Sequence, residues 1–130
     1  MILTGHRAER WLAENSPFFK PHELKCKCGC GQLRIDTALI DCLNDLRSAI
    51  SVPLMVTSAY RCPAHNKAVG GATHSLHVEG MAVDIATRDM EQQNLLVALA
   101  KPHFGGIIIY PTFVHLDTRV IKLFWDKRHD

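Results

Sequence analysis

The sequence predicts an α+β domain in which helices pack on one face of a small antiparallel sheet. Two stretches with helical periodicity occur in the chain, and short runs rich in β-branched and aromatic residues gather after the second. Helices early and short strands late are typical of this class. The chain is 130 residues long, without repeats or low-complexity stretches, so we expect a single domain over 1–130.

The first half of the chain is expected to be mainly helical. Arg7 to Asn15 predicts a short helix that ends before Pro17, and Lys20 to Gly31 predicts an irregular segment. Asp36 to Ile50 predicts the clearest helix. Its apolar side chains recur at helical spacing and are expected to pack in the core: Leu39, Leu43, Leu46 and Ile50.

The middle of the chain is expected to alternate strands with other elements. Leu54 to Ser58 predicts a strand, Cys62 to Thr73 a long loop, and Met81 to Ala86 a second strand. Glu91 to Ala100 predicts an amphipathic helix that closes before Pro102.

The end of the chain is expected to consist of strands. Ile107 to Tyr110 and Phe113 to Asp117 flank a Pro111-Thr112 turn, a pattern that predicts a hairpin. A last strand is expected over Ile121 to Trp125.

The charge distribution excludes some partners. The formal net charge is only +2, and the lysines and arginines are scattered, so we expect no nucleic-acid-binding stripe.

Met1 to Leu12 carries Arg7, Glu9 and Arg10 where a signal peptide would have an apolar stretch. We therefore expect no signal peptide and no membrane anchor, and a protein that is cytoplasmic as synthesised.

Two imidazoles and a carboxylate lie in two short segments. Residues 75–84 read S-L-H-V-E-G-M-A-V-D and contain His77 and Asp84, and F-V-H-L-D at 113–117 contains His115. Catalytic zinc takes three ligands of these types and leaves a fourth position for water. A single histidine or aspartate is most often an ordinary surface or core residue, but the combination predicts a zinc site.

The spacing of these residues fits a loop that enters a strand. His77 and Asp84 are seven residues apart with Gly80 between them, which excludes two ligands on one helix face and favours a turn at the glycine. Alternation along the strand then puts Asp84 on one face with Ala82 and Ala86. We expect the sheet face opposite the helices to form the zinc cleft.

One long segment resembles a known family. Residues 57–84, T-S-A-Y-R-C-P-A-H-N-K-A-V-G-G-A-T-H-S-L-H-V-E-G-M-A-V-D, resemble the zinc D-alanyl-D-alanine carboxypeptidases and murein endopeptidases of peptidase family M15. The family signature is S-x-H-x-x-G-x-A-x-D, which the zinc-bearing signalling domain of hedgehog proteins shares. The resemblance runs from about Phe18 to residues 113–117 and Trp125.

The resemblance implies roles for individual residues. It implies that one zinc ion is bound by three residues, namely His77, Asp84 and His115. It also implies that Ser75 supports the site from the loop and that Arg61 faces the substrate. A guanidinium there could bind a peptide carboxylate or stabilise an oxyanion, and an ordinary surface salt bridge is the alternative.

The general base is left open by the sequence. Many relatives carry a histidine two residues before the last ligand or an acidic residue three before it, and this chain has Phe113 and Thr112 there. Asp117 shares a strand face with His115, about 6–7 Å along the strand. It could accept the proton of a zinc-bound water, or it could accept the free N–H of His115 and orient that ligand.

Two further residues are weaker candidates for the site. Glu79 lies beside Gly80 on the predicted turn, where a carboxylate is more often solvated, and His74 could reach the rim.

The five cysteines cannot all pair internally, and cytosolic synthesis favours free thiols. Three of them alternate along one segment: Cys26, Cys28 and Cys30. A second, structural metal bound with Cys42 or Cys62 is the alternative. The C-x-C-x-C pattern lacks the C-x-x-C knuckle of well-known zinc sites, so we expect free thiols.

Together these observations predict a zinc metallopeptidase that acts on peptidoglycan stem peptides in cell-wall lysis. The resemblance implies hydrolysis of a bond involving a D-amino acid, as a carboxypeptidase or an endopeptidase. The small size favours a monomeric phage-type endolysin or a phage particle component, with no nucleic-acid or membrane partner. The alternative is a non-catalytic, hedgehog-like zinc module that binds peptide or glycan.

Overall fold

The computed structural model describes residues 1–128. Its helices are α1 (Gly5–Asn15), α2 (Pro21–Leu24), α3 (Thr37–Ile50), α4 (Pro63–Ala68) and α5 (Met90–Ala100). Its strands are β1 (Ile2–Thr4), β2 (Arg34–Asp36), β3 (Met55–Ser58), β4 (Ala82–Ala86), β5 (Gly106–Ile109), β6 (Phe113–Asp117) and β7 (Leu123–Asp126). The predicted α+β class is confirmed. No helix within 1–128 combines the length and the apolar composition that crossing a membrane requires.

The strands form two sheets. β1 and β2 make a small antiparallel pair, and the other five strands follow the order β3-β4-β6-β5-β7. The neighbours in the larger sheet are antiparallel except for β5 and β7, which are parallel. At its centre, Asp84 of β4 lies directly opposite His115 of β6. The register therefore places two of the predicted ligands side by side.

The parallel edge of the larger sheet differs from the expected all-antiparallel arrangement. β5 and β6 form the predicted hairpin, closed by a 2.9 Å hydrogen bond from Tyr110 N to Phe113 O. The other side of β6 is occupied by β4, so β7 passes to the free edge of β5 and runs in the direction of β5. Ile121, which was expected to begin this strand, is strongly exposed and lies before β7 starts at Leu123.

The helices cover one face of the larger sheet. Val83 and Ile85 of β4 and Val114 and Leu116 of β6 are almost fully buried in the main core. They share this core with apolar side chains of α3 and α5, among them Leu39, Leu43, Leu46 and Leu96. Because side chains alternate along a strand, the residues between them project to the opposite face.

Side-chain caps explain where the two long helices begin. Asp36 Oδ1 accepts a 3.1 Å hydrogen bond from Ala38 N at the start of α3. Asp89 Oδ1 accepts a 2.8 Å hydrogen bond from Gln92 N at the start of α5. Such caps satisfy amide groups that the first helical turn leaves unpaired, and each stabilises a helix by about 1 kcal/mol.

Short helices interrupt two segments that were predicted to be loops. α4 lies inside the predicted loop from Cys62 to Thr73, with Pro63 at its first position and Cys62 Sγ accepting from His65 N at 3.4 Å. α2 likewise begins at a proline, Pro21, inside the segment predicted to be irregular. Helices of six and four residues are too short to show an apolar period, so only the N-terminal proline marks them.

Core packing of α5 generates a matched pair of predictions. Leu96 is 1% exposed and its neighbour Leu95 is 51% exposed. We expect Leu96→Ala to lower the free energy of unfolding by about 2–5 kcal/mol, because it removes buried apolar surface and leaves a cavity. Leu95→Ala should change it by no more than about 0.5 kcal/mol. Urea unfolding of both variants checks this, and equal losses would contradict the burial of Leu96.

Candidate metal site and cleft

Three predicted ligands meet at one point on the face opposite the helices. Asp84 Oδ1 lies 3.1 Å from His77 Nε2 and 3.1 Å from His115 Nδ1. One ligand atom from each residue lies within 4.8 Å of the other two. Nitrogen and oxygen ligands about 2.0–2.1 Å from a tetrahedral zinc lie about 3.3–3.4 Å apart. The side chains therefore have the chemistry and the spacing that a zinc ion requires.

His77 is positioned by a tight turn. Gly80 has a φ of 76°, and a Cβ atom there would lie 2.7 Å from Arg34 O, so a larger residue meets both strain and a backbone atom. Ser75 Oγ accepts a 3.2 Å hydrogen bond from His77 N. His77 Nδ1 lies 2.7 Å from Ala59 O. A carbonyl oxygen only accepts, so Nδ1 carries the proton and Nε2 offers its lone pair beside Asp84.

His115 is oriented in the same way by a carboxylate. Its Nε2 lies 2.7 Å from Asp117 Oδ2, and its Nδ1 faces Asp84. Since the ionised carboxylate only accepts hydrogen bonds, Nε2 donates and Nδ1 is free to bind a metal. Asp117 thus contacts the ring nitrogen of His115 that points away from the ligand cluster.

Asp117 is itself fully buried, and both of its carboxylate oxygens accept hydrogen bonds. Arg119 donates to it through Nε at 2.8 Å, Nη2 at 2.6 Å and the backbone N at 3.1 Å. Burial alone would raise the pKa of Asp117, but hydrogen bonds from His115 and Arg119 outweigh it and hold that pKa well below its usual range. Gly106 lies opposite Asp117 and leaves room for it, because a Cβ atom there would lie 2.2 Å from Oδ1.

Arg61 contacts the other oxygen of the central carboxylate. Its Nη2 donates to Asp84 Oδ2 at 3.3 Å, its Nη1 to Asn66 Oδ1 at 3.2 Å, and its Nε to Ser58 Oγ at 3.0 Å. When no metal is bound, a second N–H on each imidazole can donate to Asp84, and these hydrogen bonds from His115 and His77 lower the pKa of Asp84 to about 2 although burial opposes its charge. A bound metal would take the place of those two protons. Asp84 is therefore ionised at neutral pH, as a metal ligand must be.

The ligand cluster lies in a cleft of about 410 Å³. One wall is the 69–77 loop, and another carries Tyr110 and Phe113, whose rings stack 4.4 Å apart. Arg61 and Arg119 also line the cleft. Among the described residues that line the cleft, the candidate ligand Asp84 is the one carboxylate.

The family comparison agrees with this geometry. The model of the family described as Peptidase M15 matches residues 17–117, which is most of the chain. The chain belongs to the Peptidase M15 family. No curated protein sequence matches it at a significant level. Membership of this family makes the chain a metallopeptidase, and His77, Asp84 and His115 are candidate metal ligands on the described residues.

The remaining predicted site residues of this M15 peptidase occupy different positions. His74 is exposed and lines the cleft beside Ser75. Glu79 is exposed and lies 3.9 Å from Arg34 Nη2, outside the residues that line the cleft. Asp117 is also outside the lining, because it lies behind His115.

Three residues of the site were missed by sequence reasoning. Asn66 bridges Arg61 and the 70s loop, since its Nδ2 donates to Ala72 O at 2.9 Å. Its position in the Y-R-C-P-x-H-N segment was a usable signal. Arg119 and Tyr110 gave no comparable signal, because only the folded hairpin and its following turn place them beside the ligands.

The ligand geometry predicts the outcome of a metal analysis. His77→Ala should remove one equivalent of zinc from the purified protein, because two protein ligands hold zinc far more weakly than three. His6→Ala is the matched control, since the side chain of His6 is 97% exposed near the start of α1. Elemental analysis of both variants, purified without added metal, measures the difference. Unchanged zinc in His77→Ala would contradict the assignment.

Proposed function

We propose that this chain is a zinc-dependent peptidoglycan peptidase that hydrolyses a peptide bond involving a D-amino acid. The observation that carries the proposal is the convergence of His77, Asp84 and His115 in an open cleft beside Arg61. Family membership supports the peptidase chemistry.

The three ligands fit a catalytic rather than a structural zinc site. Two imidazoles and one carboxylate leave a fourth position for a water molecule, and the cluster borders a cleft that a substrate can enter. Bound zinc would lower the pKa of that water to about 7 and polarise the scissile carbonyl. Ala59 O and Asp117 hold the ligands in their metal-binding tautomers.

Arg61 is proposed to recognise the substrate. Three of its five N–H groups donate to Ser58, Asn66 and Asp84, so its plane is held in place and two donors are left for a ligand in the cleft. A guanidinium binds a carboxylate through two parallel hydrogen bonds and keeps its charge at any working pH. Arg119 also lines the cleft, but its charge is balanced by Asp117. The two free donors of Arg61 therefore favour an anionic group, such as a carboxylate of a stem peptide.

The proton acceptor is proposed to be His74 rather than Asp117. Asp117 lies on the far side of His115 and is already bound by Arg119, which supports a role in orienting His115 over a role as proton acceptor. His74 is exposed in the cleft wall. An imidazole near the reacting water can accept its proton.

A specific observation favours the alternative function. The carboxylates Asp117 and Glu79 both lie outside the cleft lining, so within residues 1–128 the cleft offers no acidic residue besides Asp84 to serve as a base, as one commonly does in zinc peptidases. A non-catalytic zinc module that binds peptide or glycan would need no such residue. If the chain is a peptidase, its proposed role is cell-wall lysis as a phage-type endolysin.

Turnover separates the two functions. Purified protein should release soluble fragments or free D-alanine from purified sacculi, and a chelator should abolish the release because the zinc would be removed. Mass spectrometry of the products identifies the bond. Muropeptides ending in D-Ala-D-Ala, compared with synthetic L-Ala-L-Ala counterparts, test the D-amino acid preference. Binding to sacculi with no product over many hours would favour the non-catalytic module.

The proposed roles of Asp117 and His74 predict different effects of substitution on zinc affinity and on the rate of hydrolysis. Asp117→Asn should weaken zinc affinity by about 10–100-fold, and excess zinc should restore most of the rate. His74→Gln should lower the rate by about 10²–10⁴-fold while zinc stays bound. Rate and zinc content are measured on the same samples. A slow, zinc-replete Asp117→Asn enzyme would instead make Asp117 the base, and full activity of His74→Gln would exclude His74.

A further inference from the structure

A second cluster of metal-binding side chains lies away from the histidine site. Its members are Cys26, Cys28, Cys30 and Cys62. We refer to these four residues as the thiol cluster. All four Sγ atoms lie within 4.8 Å of one another, although Cys62 is separated from Cys28 by 34 positions in the sequence. The fold thus brings a distant fourth cysteine to the C-x-C-x-C segment.

The separations between the sulfur atoms distinguish a metal site from disulfide bonds. Cys26 Sγ lies 3.4 Å from Cys28 Sγ, and Cys28 Sγ lies 3.7 Å from Cys62 Sγ. Four sulfurs about 2.3 Å from one tetrahedral zinc are about 3.8 Å apart, whereas a disulfide places two sulfurs about 2.05 Å apart. These distances fit four thiolates around one ion.

The backbone of the cysteine segment is shaped to bring its sulfurs together. Gly29 and Gly31 have φ values of 89° and 73°, which residues with a side chain rarely adopt. A Cβ atom at either position would meet nothing within 4 Å, so backbone conformation and not space requires glycine there. Cys26 N donates to Gln32 O at 3.0 Å and closes the segment into a loop.

Backbone amides already point at three of the sulfur atoms. Cys62 N donates to Cys26 Sγ at 3.3 Å, Gln32 N to Cys30 Sγ at 3.5 Å, and His65 N to Cys62 Sγ at 3.4 Å. Such donors stabilise the negative charge of a thiolate and fix its direction. This arrangement suits deprotonated cysteines that share a cation.

We propose that the thiol cluster binds a structural zinc ion, the second in this protein. Four thiolates form a closed tetrahedral site without an open position, which is the structural rather than the catalytic class of zinc site. This proposal revises the expected single zinc ion and the expected free state of these thiols. It does not depend on the proposed peptidase activity.

The position of the thiol cluster links it to the cleft. Cys62 follows Arg61 and caps α4, and α4 carries Asn66, whose Oδ1 accepts from Arg61 Nη1. Tyr60 N also donates to Leu24 O, which joins this strand end to α2. A metal at Cys62 would therefore fix the wall that presents Arg61, using a loop from near the N-terminus.

Zinc counting tests the proposal on the full chain. Wild-type protein purified without added metal should contain about two zinc ions, and Cys28→Ser about one. Cys28 is exposed, so serine there removes no core packing. Cys42→Ser is the matched control, because Cys42 lies outside the cluster and its Sγ donates to His103 O. His77→Ala should lose the other zinc and keep this one.

Two further measurements test the proposal even if Cys28→Ser does not fold. Cobalt(II) added to zinc-free wild-type protein should produce thiolate-to-cobalt charge-transfer absorption that reaches its plateau with the first equivalents and persists in His77→Ala. Native thiol titration should find about one reactive thiol before zinc is chelated and about five afterwards. Absence of the cobalt band, disulfides in non-reducing mass spectrometry, or iron in place of zinc would each overturn the proposal.

Discussion

The pairing register of two central strands is the constraint on which the site depends. Asp84 faces His115 across β4 and β6, and the two flanking residues of each strand are buried on the helical side. Side chains alternate with a period of two, so a slip by one residue would turn Val83 or Val114 toward the cleft and bury the ligands in the core. The apolar pattern that stabilises the fold therefore also sets the direction of the ligands.

Hydrogen bonds from surrounding residues offset the cost of burying the polar side chains of the three candidate ligands. Each ligand has its own partner beyond the cluster: Ala59 O for His77, Arg61 for Asp84, and Asp117 for His115. Asp117 in turn needs Arg119 to balance its charge and Gly106 to leave it room. Buried polar groups without such partners cost several kcal/mol, so the outer residues are as necessary to the site as the ligands.

The cleft is built from two structurally different walls. The strands β4 and β6 form a rigid wall through regular pairing, and they carry Asp84 and His115. The other wall is the chain from Arg61 to His77, which contains the short helix α4 and pairs with no strand of the described sheets. Within this wall, Asn66 Nδ2 donates a hydrogen bond to Ala72 O. Near the start of the wall, Cys62 belongs to the thiol cluster. A small domain that holds Arg61 on such a segment gains stability from a local crosslink.

The sequence by itself determined the α+β class, the long helices α3 and α5, the hairpin and the three candidate ligands, because each rests on local periodicity or on a compact motif. It did not determine the short helices, the parallel edge at β7 or the fourth partner of the cysteine segment. Neither could it choose between the two roles of Asp117. These features depend on which distant segments meet, and only tertiary packing brings Cys62 to the cysteine loop or Arg119 and Gly106 around one carboxylate.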